Sequence, residues 1–372
     1  MAQATKTEPT GGGPLEWLTS TIGRIIISIF VPVMTFIVLW QGFIFLRESE
    51  APKLVIVVVA ITWGVGGVAL LYLVSNWLIE QLPLEWVGRL QPFVFVGPAM
   101  AILAWFLAIP TLRTFYLSLL GPDSENFVGL QNYVAIFTER IMWESFRNNL
   151  LWILFGSTLC VVLGLLIAVL ADRSNFETAA KSMIFLPMAI SMVGAGVIWN
   201  FVYEVKEPGD PQIGLLNAIW VLLGGEPQAW TALLQPWNNL FLIVIVIWLQ
   251  TGFAMVLFSA AIKGIPGELL EAARVDGANE VQIFFRIMIP YIMGTIITVS
   301  TTIVIFTLKI FDIVMVMTGG QFGTHVIATQ FYRQYFTNRN FGFGSAIATV
   351  LLIAVIPVMI YNLKQFGERR AF

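Results

Sequence analysis

The chain has 372 residues, of which 58% are hydrophobic and only 11% charged, with a mean hydropathy of +0.84. Soluble domains carry about 25% charged residues, so this is the composition of a membrane protein. A net charge of −2 without a basic run argues against nucleic acid, and a single cysteine, Cys160, with a single histidine, His325, excludes a disulfide frame and a thiolate or histidine-cluster metal site.

Residues 1–21, with "TEPTGGGP", are expected to form a disordered cytosolic tail. A bilayer core takes about 20 apolar residues per helix. Eight runs qualify, near 24–46, 54–79, 92–112, 149–171, 182–203, 238–262, 291–317 and 344–363. The first is too long for a signal-peptide core and lacks a small-residue cleavage site, so it reads as a retained span. The predicted class is an all-α membrane protein of about eight spans. Its organisation is two extra helices in 22–91, a six-helix core in 92–363 and a cytosolic tail from 364 to 372. "EQLPLEWVGRLQ" (80–91) reads as a solvated inner connector despite its spaced carboxylates. Trp17, Trp77, Trp86, Trp143, Trp237 and Tyr361 fall near span ends, where amphipathic rings anchor to the interface.

With the N-terminus inside, the inner segments hold eleven Lys and Arg: Lys6, Arg24, Arg89, Arg173, Lys181, Lys263, Arg274, Arg286, Lys364, Arg369 and Arg370. The longer outer segments hold eight. That bias puts both termini, and the segment "LLEAARVDGANEVQIFFRIMIP" (269–290), in the cytoplasm. The segment reads as helix, turn, helix. Pro266 suits a helix start, and Glu268 and Glu271 lie near the positive end of its dipole. Leu269 and Ala273 share a face with Leu270 beside it. Asp276-Gly277 breaks the helix, Gly supplying a left-handed backbone. Asn279 with Gln282 forms a capping box, and the second helix runs through Val281, Phe284, Phe285 and Met288 and is expected to stop before Pro290. A loop joining two spans needs only a few residues. One with an amphipathic helix pair is either a helix on the membrane surface or a docking element for a cytosolic partner.

"EAARVDGANEVQIFFRIMIP" resembles the coupling loop of bacterial ABC-importer permeases, whose pattern is E-A-A, a Gly four residues after the second Ala, and I-x-L-P beginning ten residues later. Here these are Glu271-Ala272-Ala273, Gly277 and Ile287-Met288-Ile289-Pro290, with Ile in place of Leu. The resemblance implies that the loop sits in a cleft of an ATP-hydrolysing subunit. Glu271 would then offer charge to the cleft, Ala272 and Ala273 would allow close approach, Gly277 would make the turn, and Arg274 and Asp276 would belong to the same contact. "FVGLQNYVAIF" (127–137), "GLLNAIW" (214–220) and "FDIVMVMTGGQFGTHVIATQFY" (311–332) are similar to segments of the sugar-permease branch, the maltose and α-glucoside types, closest to permeases for α-glucosides and the osmolyte glucosylglycerol. The maltose type carries a folded domain before its fourth span. Residues 113–148 are too few for one, so its contacts must be absent or replaced.

An ATPase needs G-x-x-x-x-G-K-[ST] to wrap phosphates, and no Lys here follows a Gly. The resemblance therefore implies ATP and Mg on two separate ATPase subunits, with no cofactor in this chain. It also implies a second homologous permease forming a heterodimer, an extracytoplasmic solute-binding protein, and a bacterial inner-membrane location. "MTGGQ" (317–321) is expected to be an outer glycine turn, and His325 a polar residue without a role. The outer loops 204–236, enclosing "IGLLNAIWVLL", and 318–343 are the natural surface for the binding protein.

Polar groups at mid-membrane depth are costly and informative. Gln250, Thr251 and Trp248 lie in the sixth span. Asn200 and Trp199 lie in the fifth, a span interrupted by Pro187, Gly194 and Gly196. Amides beside an aromatic plate suit a sugar, while packing glue between helices, about 0.6 kcal/mol per bond, is the plainer role. The latter is favoured for Thr298, Ser300, Thr301 and Thr302. Lys309 and Asp312, three apart on an expected helical face toward the outer end, either pair or snorkel, or line the outer mouth. An ion-coupled transporter acting alone would want paired broken helices in two inverted halves and carboxylates at mid-depth, whereas Asp312, the one acid expected inside the membrane, lies toward the outer end of its span. A membrane scaffold or sensor is the third reading.

Overall fold

The computed structural model describes residues 21–368. The tails with Lys6, Trp17, Arg369 and Arg370 lie outside them. The described residues are helices and connecting loops, with one isolated β-bridge between Leu120 and Phe127. The chain divides at Pro110 and Thr111 into two compact units.

The first unit holds α1 (Thr21–Glu48), α2 (Lys53–Glu80) and most of α3 (Glu85–Leu117). Their apolar windows are 6%, 0% and 0% buried. Helices apolar on every side with no covered face are suited to lipid. The expected connector 80–91 is shorter than its sequence suggests. Only a few residues around Pro83 turn the chain, and helix resumes at Leu84, where Pro83 can precede a helix without a lost bond. Asn76 joins the two helices by donating to Glu80 and accepting from Gln91.

The second unit continues with α4 (Gln131–Thr138), α5 (Arg140–Asp172), α6 (Glu177–Ala189), α7 (Met192–Val202), α8 (Leu215–Leu222) and α9 (Trp237–Lys263). After these come α10 (Gly267–Val275), α11 (Glu280–Tyr291), α12 (Met293–Leu308), α13 (Asp312–Met317), α14 (Ile327–Tyr332) and α15 (Phe341–Glu368). The central helix is α9, half buried over its apolar window. It packs along α5 around Cys160, Leu242, Val246, Met255 and Phe258.

Six of the eight expected spans are single long helices: α1, α2, α3, α5, α9 and α15. The other two are bent. The α6–α7 pair turns through 103° and the α11–α12 pair through 71°. Pro187 forces a tight turn at Leu186–Ala189, Ile190 is extended, and Ser191 caps the restart by accepting from the Gly194 N–H at 3.0 Å. The interruption thus belongs to Pro187 and Ser191, whereas Gly194 and Gly196 lie inside α7. The seventh span also ends early. Helix α12 stops at Leu308 and a break at 309–311 precedes α13, so 291–317 is not one rod.

The end of this unit away from α10 and α11 is held by two Asn pairs, in "RNNL" and "WNNL". Asn149 donates to the Leu308 carbonyl at 3.0 Å and accepts from the Ile327 N–H at 2.8 Å. Asn148 donates to the carbonyls of Gly323 (2.7 Å) and His325 (2.8 Å), and Asn238 to that of Phe322 (2.7 Å). These amides are buried and replace the partners that a helix end and a loop lack in a dry interior. Asn149→Leu strands one carbonyl and one N–H, each costing about 1–3 kcal/mol. A drop of several degrees in the thermal midpoint of the purified protein in detergent is the expected result, and an unchanged midpoint contradicts this role.

Candidate functional site

Two places gather the residues singled out by the sequence. The first is the elbow between α9 and α12. Helix α10 ends in a Schellman motif: the Ala278 N–H reaches the Ala273 carbonyl at 3.0 Å and the Gly277 N–H reaches that of Arg274 at 3.1 Å. Gly277 has φ +82°, a conformation that costs residues with a Cβ about 1–2 kcal/mol. Helix α11 then starts on a complete capping box, Asn279 and Gln282 exchanging bonds of 2.9 Å.

Ala273 is buried with Ile265, Ile283, Met288 and Ile292, and Leu270 packs against them. Burying an Ile or Met side chain is worth about 1.5–3 kcal/mol, so this small core fixes the angle between the two helices. Leu269, expected on the same face, is 45% exposed, and Val281 and Phe285 also point outward. The anchor on α11 is Ile283, because the helical stripe there runs Ile283–Met288 rather than through Val281 and Phe285. Nor does the helix stop before Pro290. A wide turn at Phe284–Met288, in which the Ile289 N–H reaches the Phe284 carbonyl, shifts the bonding so that Pro290 continues without a missing donor. Glu271, Ala272, Arg274, Asp276 and Gly277 are exposed.

Charged contacts that the sequence did not announce brace the elbow. Glu280 accepts from Arg274 at 2.9 Å and from Arg173, at the end of α5, at 2.6 Å. Beside them Lys181 contacts Asp172, Glu177 at 2.5 Å and the Ser259 hydroxyl, so α5, α6 and α9 meet at one ammonium. The pairing partners lie 107 residues apart in one case and 78 in another, beyond any local pattern.

The second place is a cavity of about 410 Å³ at the helix breaks, lined by Met192, Thr302, Ile305, Phe306, Lys309, Ile310, Phe311 and Asp312. Lys309 and Asp312 do not share a helical face: Lys309 closes α12 and Asp312 opens α13. No ion pair joins them among the described residues. The chain breaks between them, and Lys309 sits where a helix dipole favours a cation. Breaks in two neighbouring helices free backbone groups, and transporters use such breaks to hold a substrate.

The other path candidates lie elsewhere. Trp199 and Trp248 meet edge to face with centroids 5.8 Å apart, and Tyr203 follows at 5.1 Å from Trp199. Gln250 is half-buried and Asn200 exposed, and neither lines the 410 Å³ cavity. Thr251 is buried and donates to the Ile247 carbonyl at 2.6 Å. Thr298, Thr301 and Thr302 bond back to their own helix; one cross-helix bond, from Asn362 to Thr301 at 3.1 Å, matches the glue expected of them. Thr302 also reaches the cavity.

Residues 160–371 match the family described as "Binding-protein-dependent transport system inner membrane component". The chain is 55% identical over 273 residues to the osmoprotective compounds uptake permease protein GgtC of Synechocystis sp., covering 73% of this chain and 98% of that one. It is 50% identical over 279 residues to the alpha-glucoside transport system permease protein AglF of Rhizobium meliloti, covering 75% and 83%. Among solved structures, a chain of a bacterial ABC transporter involved in the import of alginate superposes with a TM-score of 0.64 at 20% identity, over 77% of this chain and 97% of that one. That likeness concerns the fold alone.

Proposed function

The chain belongs to the inner-membrane components of binding-protein-dependent transport systems, the permeases of ABC importers, and we propose that its cargo is a small glycoside, either an α-glucoside or a glycoside osmolyte such as glucosylglycerol. Two relatives at 55% and 50% identity, named for osmoprotective compounds and for alpha-glucosides, support that cargo. Permeases of this kind work with ATPase subunits and a binding protein. For this chain the set would be two ATPase subunits carrying ATP and Mg, one homologous permease and one extracytoplasmic solute-binding protein, with both termini in the cytoplasm.

The observation that carries the mechanism is the rigid elbow. A Schellman turn, a capping box and a five-residue core join α10 to α11, so a push on the exposed face around Glu271, Ala272, Arg274 and Asp276 moves α11 as one body. The 71° bend passes that movement to α12, whose far end borders the cavity. ATPase closure on the elbow would thereby open and shut the cavity to alternate sides, provided that substrate binds the two states unequally. Asp312, Lys309 and Thr302 supply polar contacts there and Phe306 and Phe311 the apolar plate, with Trp248, Trp199, Gln250, Asn200 and Thr251 as further path candidates.

Stimulation of ATP hydrolysis in the reconstituted complex by binding protein loaded with candidate glycosides tests the cargo. The account expects α-glucosides or glucosylglycerol to stimulate; ATP-independent uptake by this chain alone would refute it. Gln250→Leu is expected to slow uptake several-fold or to change which sugars pass, read as a competition between labelled glycosides. Unchanged uptake and selectivity return Gln250 to a packing role.

A further inference from the structure

A further cavity of the second unit, of about 470 Å³, is separate from the one at the helix breaks. It lies at the opposite end of the unit from the elbow, between the start of α5, the loop after α13 and the end of α14. Its polar lining includes Glu144, Gln321, His325, Thr329, Arg333 and Thr337, with Phe322 and Tyr332 as aromatic walls. The sequence reading gave His325 no role, and the "MTGGQFG" turn served only to end a helix.

The loop is built with care. Gly319, Gly320 and Gly323 take φ of +62°, +80° and +69°, and Phe322, a residue with a Cβ, is held at +57°. A Cβ on Gly320 would stand 2.1 Å from the His325 ring. The amides of Asn148 and Asn238 grip the loop carbonyls, and Gln235 also donates to Gly323. Backbone strain of this kind persists only where the surroundings over-determine it, and it collects at binding sites.

The hydrogen bonds fix the protons. Thr329 gives its hydroxyl proton to the Val326 carbonyl (2.9 Å), so His325 Nδ1–H donates to Thr329 Oγ1 (3.1 Å). His325 Nε2 is left as an acceptor for Arg333 at 3.2 Å. Burial and the Arg333 charge push the imidazole down to about 4, which keeps it in that neutral form. Arg333 is thus aimed by one bond and keeps its other N–H donors. Across the cavity Glu144 is held by Arg140 at 3.2 Å, and no ion pair joins it to Arg333 among the described residues. A fixed donor group and a fixed acceptor group face one space without neutralising each other. The lining itself carries one guanidinium and one carboxylate, the latter paired from outside the cavity by Arg140, so the space offers strong donors and strong acceptors together. Vicinal hydroxyls, which donate and accept at once, are matched, and Phe322 and Tyr332 offer faces for C–H bonds.

We propose that this outer cavity is a second binding site for a neutral polyhydroxylated ligand of mono- or disaccharide size, formed by Arg333, Glu144, Gln321 and Tyr332. It rests on the glycoside reading and adds a station for the sugar outside the cavity at the helix breaks.

The test is saturation-transfer NMR with maltose and with glucosylglycerol on the complete permease–ATPase complex in nanodiscs, without binding protein and with Asp312→Ala to silence the inner cavity. Saturable binding is expected, weakened about tenfold or more by Arg333→Ala and, separately, by the exposed Gln321→Ala. Equal binding by the Arg333 and Gln321 variants and their parent, or no saturable binding, overturns the outer site. Glycoside uptake by the complex with its binding protein, measured in parallel, judges the importer reading by itself. Import with Arg333-independent binding sinks the outer site alone, and Arg333-dependent binding without import supports the site and sinks the glycoside-import reading.

Discussion

Gly277→Val is expected to cut transport at least about tenfold while the complex still assembles and still hydrolyses ATP. The backbone at 277 is left-handed, with φ +82°. No heavy atom within 4 Å would meet a Cβ there, so the penalty is purely conformational, and a β-branched side chain pays more than the usual 1–2 kcal/mol or so. The chain escapes that penalty by opening the Schellman turn, which loosens α10 from α11. Gly277→Asn, a residue that tolerates this region, should restore most of the coupling. The ratio of glycoside moved to ATP hydrolysed reports the difference. Equal ratios in the Val and Asn variants and the parent would show that the turn transmits nothing.

Asp312→Ala is expected to raise the apparent KM for uptake by about ten- to a hundredfold. A hydrogen bond from a sugar hydroxyl to a carboxylate is worth about 1.5–3 kcal/mol, and Asp312 is the one acid lining the cavity at the helix breaks. Binding-protein affinity for the sugar, measured on the isolated binding protein, stays the same. A KM unchanged in the variant would move the substrate away from this cavity. Lys309→Met should act more weakly, since the ammonium is exposed.

How much of this was legible depends on distance along the chain. The elbow was readable almost residue by residue, because its determinants are local: Gly277, the Asn279–Gln282 box three residues apart, and the apolar faces of two short helices. The errors there were also local. Of the four residues named along the second helix, Met288 and Phe284 pack in the small core while Val281 and Phe285 face outward, the core also takes Ile283, and the wide turn at Phe284–Met288 lets Pro290 pass without ending the helix. The apolar runs located the spans but not their bends. Pro187 signalled the first break, whereas the 309–311 break contains neither Pro nor Gly. It depends on Asn149, 159 residues away, capturing the Leu308 carbonyl. Arg173 and Glu280, 107 residues apart, were each visible as charges in inner segments and invisible as a pair. The outer cavity needed the fold, since Glu144 and Arg333 share it only after α5 and α14 are brought together.

Everything mechanical in this account requires the elbow to be held by the ATPase subunits. A photo-cross-linking residue in place of Val275, which is 87% exposed beside the turn, tests that contact in the assembled complex. The account predicts cross-links to an ATPase subunit whose yield changes between nucleotide-free and ATP-bound states. Cross-links to lipid alone, or a yield indifferent to nucleotide, would contradict it.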